Sequence, residues 1–322
     1  MSDQTPTTPS ESQPRDLDLT NIFQIGALTP TSHNDTYEAI SPLNPANSLK
    51  GKSVFITGAS KGIGRMTAIR YAQAGCSKIG ISARSVDLLH QVSAEIQAAA
   101  SAAGHHDTQV LAVELDVTSP AAVRQAAQTV SAKFNDKLDI FIANAGFLKN
   151  VACLPHETDA DYDDDWWETF VVNVRGTHLC AKYFIPLLLL SETKGLFLEV
   201  TSVGAHGIVP GASAYGVSKF ASTRLVESLA HEYAHLGLTV VAVHPGGVKT
   251  ELAMGTLPKY QHWLVDTVEL PADSMVWLAA GAPRSREWLS GRYYSVWWDV
   301  TELEAKKGEI VEGDLLKFRM TV

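Results

Sequence analysis

Cysteine is scarce in this chain. Its three residues, Cys76, Cys153 and Cys180, are odd in number and far apart. Such a set builds neither a disulfide framework nor a zinc knuckle, and it suits a reducing compartment. Positive charge is also short: 26 Lys and Arg face 35 Asp and Glu, for a net charge of -9. A surface this acidic gains nothing from counterion release, which argues against nucleic acid and anionic membranes as partners. Long apolar runs are missing too. The richest, residues 184–190, is interrupted by Pro186 and is far too short to span a bilayer, so it reads as a core helix. The opening MSDQTPTTPSESQPRD has no apolar stretch of the secretory kind. The expectation is a cytoplasmic protein.

What is present points to one packed domain. Of 322 residues, 45% are hydrophobic, ample for a core. Residues 1–16 have a disordered composition. In residues 17–50, Ile22, Phe23, Ile25, Leu28, Tyr37, Ile40 and Leu43 are scattered among Pro, Asn and Thr. That segment reads as an arm lying on the domain surface, with a partner-binding arm as the weaker alternative.

From residue 51 to 322 a single beat of strands and helices runs on. Strands are expected at 53–57, 78–82, 109–115, 138–143, 196–202, 238–243 and 291–296. Helices are expected to about 74, then at 86–103, 119–134, 164–191 and 214–236. Near-continuous apolar strands separated by helices mean a parallel sheet covered on both faces. The fold class is α/β: a single Rossmann-type doubly wound sheet of about seven strands. The acidic stretch DADYDDDWW (159–167) reads as a solvated loop and a negatively charged helix start. A substrate loop is expected near 251–270 and a C-terminal extension near 299–322.

The first strand runs into TGASKGIG (57–64). Gly58 permits the tight turn, Gly62 a close approach of backbone to pyrophosphate, and Gly64 close helix packing. A helix N-terminus then presents free N–H groups to phosphates. Ser60, Lys61 and Ile63 lie in the same turn and belong to the cofactor-binding set. The strand-turn-helix context is what gives a glycine motif its meaning. An NAD site places an acid at the end of the second strand, on the ribose 2′-hydroxyl. Here Ala83 takes that place and Arg84 follows. With Lys61 in the turn, two cations and no acid suit a 2′-phosphate and hence NADP(H).

Nine tyrosines are present, and Tyr215 has Lys219 four residues on, after the fifth strand. On a helix these two share a face. A free phenol, with a pKa of about 10, is too weak an acid for efficient proton transfer at neutral pH. A unit charge ~4 Å away at an effective dielectric of ~20 is worth about 4 kcal/mol, which favours the phenolate. Ser202 ends the fifth strand, where ligands bind in open parallel sheets, and its hydroxyl can hold a substrate oxygen.

Taken in order, TGASKGIG (57–64), LDV (115–117), NAG (144–146), Asn173, Ser202, Tyr-x-x-x-Lys (215–219) and PGGVKT (245–250) resemble the short-chain dehydrogenase/reductase family. The resemblance covers residues 50–300 or so. It implies a tetrad: Asn173 bending the long helix and anchoring a proton-relay water, Ser202 orienting substrate, Tyr215 as general acid/base, and Lys219 binding the nicotinamide ribose. It further implies that Asp116 and Val117 contact adenine, and that Asn144, Ala145 and Gly146 lie beside the adenosine ribose. Pro245, Gly246, Val248 and Thr250 then belong to the loop reaching the nicotinamide amide and pyrophosphate. Ala143-Asn144 replaces the family's usual double asparagine, a departure expected to cost little. A homodimer or homotetramer follows by the same resemblance. The arm and the tryptophan-rich tail look like those of fungal members that act on secondary metabolites.

Family substrates lie between the segments after the fifth and sixth strands. Here these offer Val203, His206, Ile208, Val209, Met254, Leu257, Tyr260 and Trp263, a lining suited to a medium-sized, largely apolar carbonyl/alcohol substrate. Packing against the arm or another subunit is an equal alternative. His206 is close enough to Ser202 to touch substrate, but a hydrolase reading lacks a nucleophile elbow and an acid. His244 is expected to support its loop. The rivals to ketone reduction or alcohol oxidation are a non-redox enzyme on the same scaffold (a dehydratase, isomerase or cyclase) and a cofactor-binding protein without turnover.

Overall fold

The computed structural model describes residues 27–149, 162–254, 258–281 and 285–320. Seven short strands form its centre: β1 (Ser53–Thr57), β2 (Lys78–Ala83), β3 (Gln109–Glu114), β4 (Ile140–Ala143), β5 (Leu196–Val200), β6 (Thr239–His244) and β7 (Arg292–Ser295). Every neighbouring pair is parallel, in the order β3-β2-β1-β4-β5-β6-β7. β1, β4, β5 and β6 are buried along their whole length, which is why they read as near-continuous apolar runs. The order reverses between β1 and β4, so a crevice opens at the carboxyl ends of those two strands.

One face of the sheet is covered by α1 (Gly62–Gln73) and α2 (Val86–Ala102), and packs Tyr71, Leu89, Ile96, Met275 and Tyr294 into one cluster. On the other face, α3 (Pro120–Phe134) buries Val123 and Val130. There Phe141 meets Phe55, Phe184 and Phe197 at centroid distances of 6.0, 4.5 and 5.1 Å. Such ring contacts add to the area that each aromatic buries.

The long helix expected at 164–191 is interrupted. It consists of α4 (Tyr162–Phe170), a π-turn (Val171–Gly176) and α5 (Thr177–Leu189), with Pro186 inside the last piece. The widened turn shifts the facing of α5 relative to α4, and it carries Asn173. The acidic segment starts this helix, but Asp165 is buried and paired with Lys149 at 3.0 Å, not solvated. Residues 159–161 of that stretch lie outside the described residues.

The second half continues with α6 (Ser213–Tyr233), α7 (Glu251–Met254), α8 (Glu269–Ala279), α9 (Val300–Ala305) and α10 (Lys307–Glu312). The segment before β1 is sewn to these late elements. Ile40 and Leu49 are fully buried, whereas Leu43 is exposed. Thr31 bonds Glu302, His33 bonds Asp299, and Thr36 bonds Asp273, which Arg70 of α1 grips through two bonds of 2.6 and 2.7 Å. Ile22, Phe23 and Ile25 lie outside the described residues.

Cys76 and Cys180 are buried free thiols, each pushed up to about 12 by burial, which makes them poor nucleophiles. Cys153 lies outside the described residues. Among the described residues no helix is long and apolar enough to cross a membrane.

Candidate active site

The crevice is floored by the glycine turn between β1 and α1. Gly58 has φ 66°, and a Cβ there would stand 2.9 Å from the Ala145 Cα. A Cβ on Gly64 would stand 2.6 Å from the Gly58 carbonyl oxygen and would collide with the Asn144 amide. The turn therefore has no room for side chains at either place. Asn144 holds it from just past β4: its Nδ2 donates to the carbonyls of Thr57 (2.9 Å) and Gly58 (3.0 Å). The Thr57 hydroxyl answers by accepting from the N–H groups of Asn144 and Ala145, both at 3.1 Å. No side chain caps α1, so its first N–H groups face the crevice available to an anion. These features fit a dinucleotide pyrophosphate.

The sequence-derived catalytic residues converge beside this turn. Tyr215 and Lys219 sit one turn apart on α6, with the Lys219 Nζ 5.9 Å from the Tyr215 ring centroid. That Nζ is buried and donates to the Val200 carbonyl at 2.7 Å. Ser202 and Tyr215 flank Gly204: a Cβ there would stand 3.4 Å from the Ser202 Oγ and 3.7 Å from the Tyr215 Cδ1. Asn173 and Lys219 flank Gly146 in the same way, at 3.7 and 3.9 Å. Asn173 is fully buried, accepts from the Phe147 N–H at 2.8 Å, and donates to the Phe147 carbonyl and the Ser218 hydroxyl, both at 3.0 Å. Its amide thus ties the π-turn to the loop after β4 and to α6.

The residues expected around the adenosine end are more dispersed. Arg84 is exposed at the end of β2. Lys61 is exposed too, and its ammonium is paired with Glu251 of α7. Asp116 accepts from the N–H (2.9 Å) and hydroxyl (2.7 Å) of Thr118, a local turn. Val117 is buried against Gly176. Ser60 and Ile63 are half-buried in the turn. Glu114, an exposed acid, is paired in register with Ala83.

The segment after β6 returns to the crevice. Gly246 has φ 79°, Val248 bridges Asp266, and Thr250 Cγ2 reaches within 3.3 Å of a Cβ on Gly62. Asp266 fastens this loop. Its carboxylate accepts from the Gly247 N–H, from Trp297 Nε1 at 2.7 Å and from Asn34 Nδ2 at 2.6 Å. His244 is buried and accepts from the Val203 N–H through Nδ1 at 3.0 Å, supporting the segment after β5. Burial pushes its pKa down to about 3 and holds the ring neutral.

On the expected substrate side, Ile208 and Met254 are exposed, and Val203, Val209 and Trp263 are half-buried. Leu257 and the side chain of Tyr260 lie outside the described residues. His206 turns into the protein, wedged edge-on against Tyr293 (4.4 Å) and against Phe318 (4.6 Å). Glu199, on β5 beneath Lys219, is a buried acid that no sequence motif singled out.

The reversed parallel sheet and its glycine turn define a Rossmann-type dinucleotide fold. A model of the short chain dehydrogenase family matches residues 52–261, and the chain belongs to that family. It is 42% identical over 291 residues to the short chain dehydrogenase mpl6 of Monascus purpureus, covering 90% of this chain and 95% of that one. To the short chain dehydrogenase pigC of Monascus ruber it is 41% identical, covering 91% and 93%. Among solved structures, a short chain dehydrogenase from Shigella flexneri complexed with NADP superposes with TM-score 0.68 at 26% identity, over 78% of this chain and 99% of that one. A short-chain type dehydrogenase/reductase from Mycobacterium marinum gives TM-score 0.68 at 25% identity, over 79% and 96%.

Proposed function

We propose that this protein interconverts a ketone and a secondary alcohol with NADP(H), on a medium-sized, largely apolar substrate of fungal secondary metabolism. The observation that carries the reading is the placement of Ser202, Tyr215 and Lys219 around Gly204 and Gly146, directly beside the glycine turn. When bound, the dinucleotide supplies or takes up the hydride. The Ser202 hydroxyl holds the substrate oxygen, and the Tyr215 phenol gives it a proton in reduction or accepts one in oxidation. Lys219, buried and one turn away, stabilises the phenolate and binds the ribose. Asn173 holds the Phe147 backbone and the Ser218 hydroxyl so that these groups keep their places.

Arg84 and Lys61 supply the cations for a 2′-phosphate, Lys61 by exchanging its exposed partner Glu251. The Shigella relative complexed with NADP supports the nicotinamide assignment. We also propose a cytoplasmic homodimer or homotetramer. Trp167, Val217 and Phe220 on α4 and α6 are exposed and apolar, which suits burial against a second copy.

The test is a spectrophotometric assay of purified protein on a panel of apolar ketones with NADPH and with NADH. Turnover with a higher kcat/KM for NADPH is expected. Tyr215→Phe should lower kcat about 10²–10⁴-fold, the range of general acid catalysis. Arg84→Ala should shrink the NADPH preference about tenfold or more, the worth of one charge-assisted hydrogen bond. Unchanged turnover in Tyr215→Phe refutes the mechanism. Product formed without any change in the nicotinamide absorbance band would instead mark a dehydratase, isomerase or cyclase.

A further inference from the structure

Strand β5 reads Leu-Phe-Leu-Glu-Val, and the glutamate is the anomaly. Glu199 sits between Ala143 of β4 and Ala242 of β6 in the sheet and is 1% exposed. An isolated carboxylate at such a place is strongly disfavoured unless it is paired. Its Oε1 lies 3.6 Å from the Lys219 Nζ and accepts from the Ser222 hydroxyl at 2.9 Å. Its Oε2 is buried with no hydrogen-bond partner among the described residues. Burial raises the carboxyl pKa, and Lys219 and Ser222 oppose that rise.

We propose that Glu199 is a positioning residue for Lys219: its buried carboxylate fixes the ammonium and offsets part of its charge, and so sets how readily Tyr215 parts with its proton. The proposal rests on the catalytic reading of Tyr215 and Lys219 given above. Among the described residues the ammonium is bonded to the Val200 carbonyl and faces the Glu199 carboxylate, which carries the countercharge. A lysine with no countercharge would favour the phenolate more strongly.

Among the described residues, the other titratable groups on the elements around α6 are neutral, paired or remote. His244 on β6 and His206 after β5 are held neutral by burial, and Tyr293 and Tyr294 on β7 are held protonated by it. Arg292 on β7 pairs with Asp314, and Asp165 on α4 pairs with Lys149. Asp164 and Glu168 on α4 are exposed, and Arg175 of the π-turn bonds the Thr118 carbonyl. On α6 itself Arg224 pairs with Glu227, and His231, Glu232 and Tyr233 close its far end.

Glu199→Gln keeps the shape and an acceptor for Ser222 but removes the charge. The experiment titrates tyrosinate by ultraviolet difference absorbance in the NADP⁺-bound protein. Parent and variant are each measured against the same protein carrying Tyr215→Phe, so that the signal belongs to Tyr215. In Glu199→Gln this signal should appear at lower pH, by about one unit or more, as expected for removing one charge behind the pair at an effective dielectric of ~20. A merely structural glutamate would change the melting temperature and leave the titration where it is. An unmoved titration, or one moved to higher pH, overturns the proposal.

If Glu199→Gln does not fold, Glu199→Met, an apolar side chain of similar length, carries the test. It removes the charge as Glu199→Gln does, so the same shift to lower pH is expected, and no shift overturns the proposal. Turnover measured in Tyr215→Phe separates the two claims. Retained turnover sinks the catalytic reading, whereas lost turnover with an unmoved titration sinks only the role of Glu199.

Discussion

Lowering the pH from 7 to 5 should weaken the folded state, and His206 supplies a defined share of that loss. Its ring is wedged between Tyr293 and Phe318, with Nε2 buried and without a hydrogen-bond partner among the described residues. Burial pushes its pKa down to about 4, from 6.5 for a free side chain. A base with a depressed folded value stabilises the fold fully above its unfolded value. That stability drains away as the pH falls from 6.5 toward 4. Between pH 7 and 5 the unfolded chain gains most of a proton at this residue and the folded chain gains almost none, a difference of about 2 kcal/mol. Against a typical net stability of roughly 5–15 kcal/mol, that is easily measured. His206→Phe keeps a ring in the wedge and removes the titration. Urea unfolding of both proteins at pH 7 and pH 5 is the assay, with the parent expected to lose about 2 kcal/mol more than the variant. His244 is present in both and subtracts out. Equal losses in the two proteins would refute the reasoning.

Three further outcomes are expected at the site. Gly64→Ala drives a methyl group into the Gly58 carbonyl and the Asn144 amide, so NADPH affinity measured by fluorescence titration should fall at least about tenfold, if the turn yields at all. Asn144→Ala deletes two bonds to that turn; it should cost about 1–3 kcal/mol in denaturant unfolding and raise the KM for NADPH more than it lowers kcat. Asp266→Ala leaves Gly247, Trp297 and Asn34 without their acceptor, and calorimetry should show a lower melting temperature together with a raised KM for NADPH.

The sheet was legible because its signal is local. SVFIT followed by a glycine turn announces β1 and the start of α1 within twelve residues, and each later strand repeats the same apolar beat. The π-turn was not legible, since one extra residue per turn hardly disturbs an apolar pattern that already runs all round a buried helix. Tyr215 and Lys219 can be paired from spacing alone because both lie on α6. Glu199 stands out in LFLEV as a lone charge, yet its partner is twenty residues away on another element. His206 looked like a substrate contact by proximity to Ser202, and its wedge of Tyr293 and Phe318 comes from the far end of the chain. For the same reason Asp266 carried no signal, its donors being contributed by residues 34, 247 and 297.

That carboxylate has a consequence in time as well as in space. The loop expected to meet the dinucleotide reaches its final shape only when a piece from near residue 34 and a piece from near residue 297 arrive together. During synthesis the glycine turn and its sheet neighbours can form early, whereas the knot that completes the opposite wall must wait for Trp297 to emerge. On the proposed reading, competence to bind a dinucleotide is expected to come late, and damage near either piece to be felt at the loop, tens of residues away along the chain.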